Sequence, residues 1–223
     1  MNPPAIPTDP PTGLKKQSRH WFQHPLAIIG FIIAGILGLL LLIGAIGATY
    51  VLSAKDFTLT SAQRETLFTA PEAGKTWHLS PSRAYEDLTA EKYLDGSVMI
   101  DYYYDDQVHD EIYINCTISE EPTLNDAKIG YPIEWAAFEV GTRLPGQAEI
   151  TLTKQDHLFS WGDASKFVFQ ETEGSVYGFA LITRKGKKTY FLDVWGLTLD
   201  NTAEIEAALL PVLERFEKTS YRK

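Results

Sequence analysis

The longest apolar stretch of the chain runs from Pro25 to Leu52 and contains no charged residue. An apolar run of about 20 residues is long enough to cross a bilayer as a helix, and this run exceeds that length. A helix also satisfies its own backbone hydrogen bonds in lipid. Because the run is much longer than the roughly 7–15 apolar residues of a cleaved signal peptide, it predicts a retained signal-anchor, a single transmembrane helix over residues 25–52.

Three small residues, Gly30, Ala34 and Gly38, recur every four positions in this run and share one helix face. Small residues at this spacing allow two membrane helices to approach closely. The spacing therefore predicts a transmembrane packing face, against the alternative that Gly and Ala are simply common in membrane helices.

Beyond the anchor, apolar and polar positions alternate with the period of two that is typical of strands. An Asp95–Gly96 pair, a strong hairpin signal, precedes alternating residues from Val98 to Asp105, and a second alternating run covers Ile112 to Ile118. Together with Ala90 to Leu94 before the Asp95–Gly96 turn, these runs predict a three-stranded antiparallel meander. Further strands are predicted, with a hairpin turn at Gly186, over residues 148–153, 166–171, 176–184 and 188–197.

Three segments have helical signals. Thr60 and Gln63 form a capping-box pattern before a helix that Pro71 should end. Residues 122–140 are helical in pattern, and we expect Gly130 and Pro132 to break them into two helices. A last helix spans about residues 202–218, capped by Asn201, with an apolar stripe of Ile205, Leu209, Val212 and Phe216. The order of elements predicts an α+β domain, an antiparallel sheet flanked by helices.

The chain therefore divides into four segments. Residues 1–24 are expected to be a disordered, Pro-rich cytoplasmic tail, and residues 25–52 the transmembrane helix. Residues 53–81 are expected to be a juxtamembrane helix and linker, and residues 82–223 an extracytoplasmic α+β domain. The orientation follows from Lys15, Lys16 and Arg19 before the anchor, since positive charge near a membrane helix favours the cytoplasmic side. The predicted location is the cell membrane, with the large domain periplasmic or equivalent.

The charge of the domain limits its partners. The net charge of the chain is −9, and the first 54 residues hold three positive charges and one negative one, which leaves −11 for the rest. Such a domain should repel nucleic acid, so nucleic-acid binding is not expected. The single cysteine, Cys116, excludes an intrachain disulfide. Its position in an alternating strand predicts a buried core thiol.

One cluster of possible metal ligands lies between the second and third strands of the meander. Carboxylates with one imidazole are plausible ligands for a hard cation, but their spacing fits no known metal-binding loop. The alternative is a solvated turn. The weak candidates are Asp105, Asp106, His109, Asp110 and Glu111.

Two surfaces are candidates for a protein partner. Tyr103 should point opposite to Tyr102 and Tyr104 on its strand, and tyrosines on both faces of a sheet require cover by a helix, a ligand or a partner. Core packing is the alternative. The second surface is a basic hairpin tip on an acidic domain, either a solvated turn or a docking point, formed by Arg184, Lys185, Lys187 and Lys188.

No nucleophile elbow, zinc-protease motif or Gly-rich phosphate loop is present. We therefore expect no catalysis and no cofactor.

The closing segment of the chain, behind a sheet-rich region, is TYFLDVWGLTLDNTAEIEAALLPVLERF. With that region it resembles the Mog1/PsbP-like fold, which includes DcrB-type envelope proteins, over about residues 82–219. The resemblance implies an accessory or binding role. The sequence thus predicts a membrane-anchored interaction module with a protein partner or a homo-oligomeric state; the alternatives are a small-ligand or metal-binding envelope protein and, less favoured, an enzyme without a recognisable motif.

Overall fold

The computed structural model describes residues 53–77, 85–106, 112–143, 150–199 and 201–222. The predicted anchor, with Gly30, Ala34 and Gly38, lies outside these residues. The chain divides into two compact units, Met1–Thr49 and Tyr50–Lys223, and the second is described here. None of the helices within the described ranges combines the length and the apolar character that a membrane span requires.

The domain is built on one antiparallel sheet of eight strands, in the order β1-β2-β3-β4-β8-β7-β6-β5. Two meanders, β2–β4 and β5–β8, join where β4 pairs with β8. The strands are β1 Lys55–Asp56, β2 Tyr85–Lys92, β3 Val98–Asp106, β4 Ile112–Glu120, β5 Thr151–Lys154, β6 Ala164–Thr172, β7 Ser175–Lys185 and β8 Lys188–Trp195. Four helices accompany them: α1 Ser61–Arg64, α2 Ala70–Trp77, α3 Leu124–Gly141 and α4 Thr202–Lys218. The predicted α+β class is confirmed.

The first face of the sheet carries the main hydrophobic core. On β3 and β4 every second residue is buried, as the alternation predicted, and Cys116 lies among them with no exposed surface. α2, α4 and Tyr221 cover this face, together with Leu59, Leu67 and Phe68, which flank α1. The predicted stripe of α4, from Ile205 to Phe216, is buried against it, and Asn201 caps that helix by accepting a hydrogen bond from the backbone N–H of Glu204.

The second face of the sheet carries a smaller core under α3. Trp135 of α3 packs on Val168, Ala180, Ile182 and Phe191 of strands β6, β7 and β8. Within the described residues α3 is the one helix that packs on this face. α3 therefore covers the second face over strands β6–β8, and the second face of strands β2–β4 lies outside this smaller core.

Two helix predictions are wrong. α3 runs unbroken from Leu124 to Gly141 through Pro132. The proline removes one intrahelical hydrogen bond, but the aromatic side chains on either side of it pack on the sheet and keep the helix continuous. The helix capped by Thr60 ends at Arg64, and Pro71 lies in the first turn of α2, where a missing N–H costs nothing.

The segment after the predicted anchor is part of the folded domain. β1 pairs with β2, and Leu67 and Phe68 are buried in the main core. Arg215 of α4 donates hydrogen bonds to the carbonyl of Glu65 and to the carboxylate of Glu72, at 2.6 and 2.7 Å. Residues 53–77 therefore close the first face and are not a free linker.

Candidate functional site

The second face of β2, β3 and β4 is acidic and aromatic. Its twelve positions follow from the strand register, and none of them is Lys, Arg or His. Four are carboxylates and three are tyrosines. We call this surface the acidic tyrosine face; it consists of Tyr85, Asp87, Thr89, Glu91, Met99, Asp101, Tyr103, Asp105, Tyr113, Asn115, Thr117 and Ser119.

Three tyrosines form a row of edge-to-face contacts across this face. The ring centroids of Tyr85 and Tyr103 are 5.7 Å apart, and those of Tyr103 and Tyr113 are 5.3 Å apart. The Tyr103 hydroxyl donates to a carboxylate oxygen of Asp105 at 3.4 Å. Because T-shaped contacts restrict ring rotation, the row presents pre-ordered aromatic edges and faces, and the outermost ring, Tyr85, is 64% exposed.

A group of partly buried carboxyls borders this face near α3. Burial raises the pKa of Glu134 to about 7, and the negative charges of Asp101 and Glu121 add to the effect. Burial also raises the pKa of Asp101, although its carboxylate accepts a hydrogen bond from Thr117 Oγ1 at 2.7 Å. These groups therefore hold protons more strongly than exposed carboxyls do.

The neighbouring strand β8 adds one more carboxyl, Asp193, which pairs with Asn115 in the strand register. Gln170 of β6 donates from Nε2 to Asp193 Oδ1 at 2.6 Å across β7, where Gly178 lies opposite Gln170 and Ala180 lies opposite Asp193. Burial raises the pKa of Asp193 to about 7. Gln170 is fully buried, and its Oε1 has no hydrogen-bond partner. An unpaired buried acceptor is costly, so Gln170 lowers the stability of the fold at this point.

The side chains of this face favour the binding of a positively charged group. Carboxylates attract positive charge, and tyrosine rings bind ammonium and guanidinium groups on their faces. A cation brought next to Asp193 or Glu134 would favour the ionised carboxyl and release a proton near neutral pH. The arrangement is therefore suited to recognition of a positively charged group.

The structure separates the two described members of the predicted metal cluster. Asp105 belongs to the acidic tyrosine face, whereas Asp106 is 2% exposed on the first face, where its carboxylate accepts a hydrogen bond from Tyr104 at 3.2 Å. His109, Asp110 and Glu111 lie outside the described residues. Among the residues that are described, no group of three or more His, Cys, Asp and Glu is arranged to hold a metal ion.

The predicted basic hairpin tip is engaged with the domain itself. Arg184 is only 8% exposed and contacts the Asp163 carboxylate and the carbonyl of Gly186. Lys188 donates to three carbonyls at the end of α4, Lys187 donates to the carbonyl of Pro122, and Lys185 forms an ion pair with Glu217. Docking at this tip stays a prediction, but each of its four cations already has an acceptor within the domain.

Cys116 is inert in this arrangement. Its thiol donates to the Tyr190 hydroxyl at 3.2 Å, and complete burial raises its pKa to about 12. A neutral, buried thiol is neither a nucleophile nor a metal ligand.

The sequence pattern predicted Tyr103 as a candidate surface residue but did not identify Glu134, Gln170 or Asp193. One signal was present, because Asp193 interrupts an otherwise apolar strand between Phe191 and Trp195. Gln170 and Glu134 gave no such signal, since their positions depend on strand order and on how α3 crosses the sheet.

A separate cavity of about 350 Å³ lies on the α4 side, lined mainly by Thr60, Gln63, Lys218 and Thr219. Its lining also includes the Phe57 ring and the Lys218 side chain but no carboxylate, so it differs in charge from the acidic tyrosine face.

Comparison with known proteins does not assign the chain to a family. No family model matches the chain, and no curated protein matches it. Among solved structures the chain is similar to the extracellular domain of PknH from Mycobacterium tuberculosis, with 11% identity and a TM-score of 0.44, over 73% of this chain and 99% of that one. The Mog1/PsbP-like resemblance has no counterpart in these findings and stays a prediction.

Proposed function

We propose that this protein is a single-pass, membrane-anchored interaction module that binds a positively charged polypeptide segment outside the cytoplasm. The observation that carries the proposal is the acidic tyrosine face, a surface with four carboxylates, three ordered tyrosines and no cation. The apolar run over residues 25–52 and the basic residues before it support the anchor and the orientation. The role is non-catalytic and needs no cofactor.

The partner experiment is a crosslinking pull-down of the tagged full-length protein from native membranes. We expect one basic partner whose recovery falls at least tenfold with Tyr103→Ser, because removing the central ring breaks both edge-to-face contacts. Tyr177→Ser is the matched control, since Tyr177 is a 53% exposed tyrosine outside this row. Recovery should also fall with added salt, as expected for exposed charges. Equal recovery with both variants would reject the face as the binding site.

Orientation is tested by adding protease to intact spheroplasts. We expect the domain to be digested there, since it is exposed outside the cytoplasm. A domain that survives in intact cells and is lost only after lysis would place it inside.

A small-ligand function is the second candidate, and the Gln170–Asp193 pair favours it. The unpaired Gln170 Oε1 is a buried acceptor beside a carboxyl, which suits a small amine that donates to the amide and pairs with Asp193. Thermal unfolding with spermidine and with arginine as probes tests this idea. Stabilisation that is lost in Gln170→Leu would support it, whereas unchanged melting with both probes would reject it for amines of this kind.

A further inference from the structure

The side of α3 that faces away from the sheet is apolar over most of its length. Ile129, Ile133 and Val140 are 62%, 62% and 63% exposed. The exposed positions from residue 129 to the end of the helix include no charged residue. We call them the α3 outer stripe: Ile129, Pro132, Ile133, Ala136, Ala137 and Val140.

α4 shows what an ordinary covering helix looks like in the same domain. Its exposed positions include Glu204, Glu206, Glu214, Glu217 and Lys218. A helix at a protein surface normally places charged residues on its solvent side, whereas a helix that is apolar all round is normally buried. α3 buries Trp135 on the sheet and is also apolar outward, so its outer stripe has the composition of a covered surface.

The stripe is complementary to itself when two copies run antiparallel. With a two-fold axis between positions 134 and 135, Ile129 lies opposite Val140 of the second copy and Ile133 lies opposite Ala136 of the second copy. The Ile129–Val140 pairs are apolar on both sides, and the central Ile133–Ala136 pairs place a large side chain against a small one, which suits helix packing at about 8–10 Å.

The charges at the two ends of α3 match in the same register. Asp126 lies in the first turn, Arg143 lies just beyond the last, and both are exposed. The two-fold axis places Asp126 of one copy opposite Arg143 of the other, twice in the pair. One alignment therefore satisfies both the apolar positions and the charges, as an isologous interface requires.

The position of α3 sets the layer order of such a pair. α3 packs on the second face of the sheet, so two α3 helices that meet through their outer stripes lie between the two sheets.

We propose that the chain forms a two-fold symmetric homodimer through antiparallel packing of the α3 outer stripes. The proposal uses a surface different from the acidic tyrosine face and does not depend on the proposed function. It is also distinct from packing of the predicted anchor through Gly30, Ala34 and Gly38.

The test is disulfide crosslinking of the full-length protein in native membranes. At position 136 the two Cα atoms would be about 6 Å apart, from a three-residue offset of about 4.5 Å and close helix packing, which is within disulfide range. We expect Ala136→Cys to give a covalent dimer on mild oxidation. Ala207→Cys, an exposed alanine on α4, is the matched control and should give at least tenfold less. The native Cys116 is buried and should give none.

A second substitution separates α3 packing from association through the anchor. Adding Ile133→Glu to Ala136→Cys should reduce the covalent dimer at least tenfold, because it places a charge in the apolar contact. Ile133 is exposed, so the fold should persist, and an unchanged melting temperature verifies this. Ile129→Lys should act in the same way.

Several outcomes would overturn the proposal. These are no dimer with Ala136→Cys, equal dimer with Ala207→Cys, a dimer that persists with Ile133→Glu, or an adduct whose mass is not that of two copies. Equal crosslinking at positions 136 and 207 would assign the association to the anchor or to random collision.

Discussion

Asp193 is a carboxyl whose surroundings favour its neutral form. Burial is the main cause of its raised pKa, and the hydrogen bond from Gln170, which acts in the opposite direction, does not offset it. In the unfolded chain the same group ionises near pH 4. Between about pH 4 and pH 7 the folded state therefore binds more protons than the unfolded state, and the stability contributed by this group is lost as the pH rises.

We predict that Asp193→Asn stabilises the domain at pH 8 and has little effect at pH 4. The upper bound is about 4 kcal/mol from three pKa units, and partial solvation reduces the expected gain at pH 8 to roughly 1–2 kcal/mol, or about 3–6 °C in melting temperature. The amide oxygen still accepts from Gln170. Thermal unfolding of the full-length protein in a non-ionic detergent at both pH values is the measurement. Glu206→Gln, on the exposed side of α4, should change neither melting temperature, and an equal gain at pH 4 would contradict the assignment.

Gly178 illustrates a residue whose identity is fixed by a close approach of backbone. A Cβ at this position would lie 2.1 Å from the carbonyl oxygen of Val194 on the paired strand β8. Backbone in the centre of a sheet cannot shift without breaking neighbouring hydrogen bonds, so only glycine fits.

We predict that Gly178→Ala destabilises the domain by roughly 2–4 kcal/mol, the range of severe steric substitutions. Gly141→Ala is the matched control, because no atom outside the local helix lies within 4 Å of its Cβ. That control should be neutral or slightly stabilising, since alanine favours helix. The measurement is the melting temperature of each variant relative to the wild type. A Gly178→Ala variant as stable as the wild type would show that β7 and β8 can move apart to make room for the Cβ.

At the scale of elements, the β7–β8 hairpin holds the end of α4. The Lys188 ammonium donates to the carbonyls of Phe216, Glu217 and Thr219 at 2.6, 2.7 and 2.9 Å and lies 4.9 Å from the Phe216 ring centroid. The last carbonyls of a helix have no partner within the helix, and a positive charge there also matches the helix dipole. The hairpin lysine thus acts as the C-terminal cap of a distant helix.

We predict that Lys188→Met costs roughly 1–3 kcal/mol, because the partly buried carbonyls lose their donors. The effect should appear as faster amide exchange in the last turn of α4, together with a lower melting temperature. Lys187→Met is the control from the same hairpin, and it should cost less than about 0.5 kcal/mol because Lys187 is exposed and makes one contact. Similar losses in the two variants would contradict the capping role.

At the scale of the whole molecule, the sheet has two unlike faces. The first is closed by α2, α4 and the segments on either side of α1, which enclose the main core. The second carries α3 over β6–β8, with the acidic tyrosine face beside it. The main core and the proposed binding surface therefore lie on opposite faces of the same sheet.

We predict that residues 50–223 fold without the first 49 residues, because the buried residues of both described clusters lie from Leu59 onward. The fragment should unfold in one cooperative transition by circular dichroism and keep its near-ultraviolet aromatic signal. A broad, non-cooperative transition would show that the preceding segment contributes to the core.

The sequence by itself determined the features that depend on neighbours along the chain. Alternation fixed the burial of β3 and β4, the Asp95–Gly96 pair marked the first hairpin, and Asn201 marked the start of α4. These succeed because side chains alternate along strands and caps act within one turn. The same local reasoning placed Tyr103 on the face opposite to Tyr102.

Only the tertiary structure decided which strands meet and what covers them. The β4–β8 pairing joins residues about 75 positions apart and brings Asp193 beside Asn115, which no local pattern specifies. Packing of α3 on the sheet kept one helix through Pro132, where local propensity predicted a break. Long-range contacts likewise bring Lys188 to the end of α4, where its ammonium group donates to three carbonyls that no local pattern identifies, because these acceptors lie about 30 positions away along the chain.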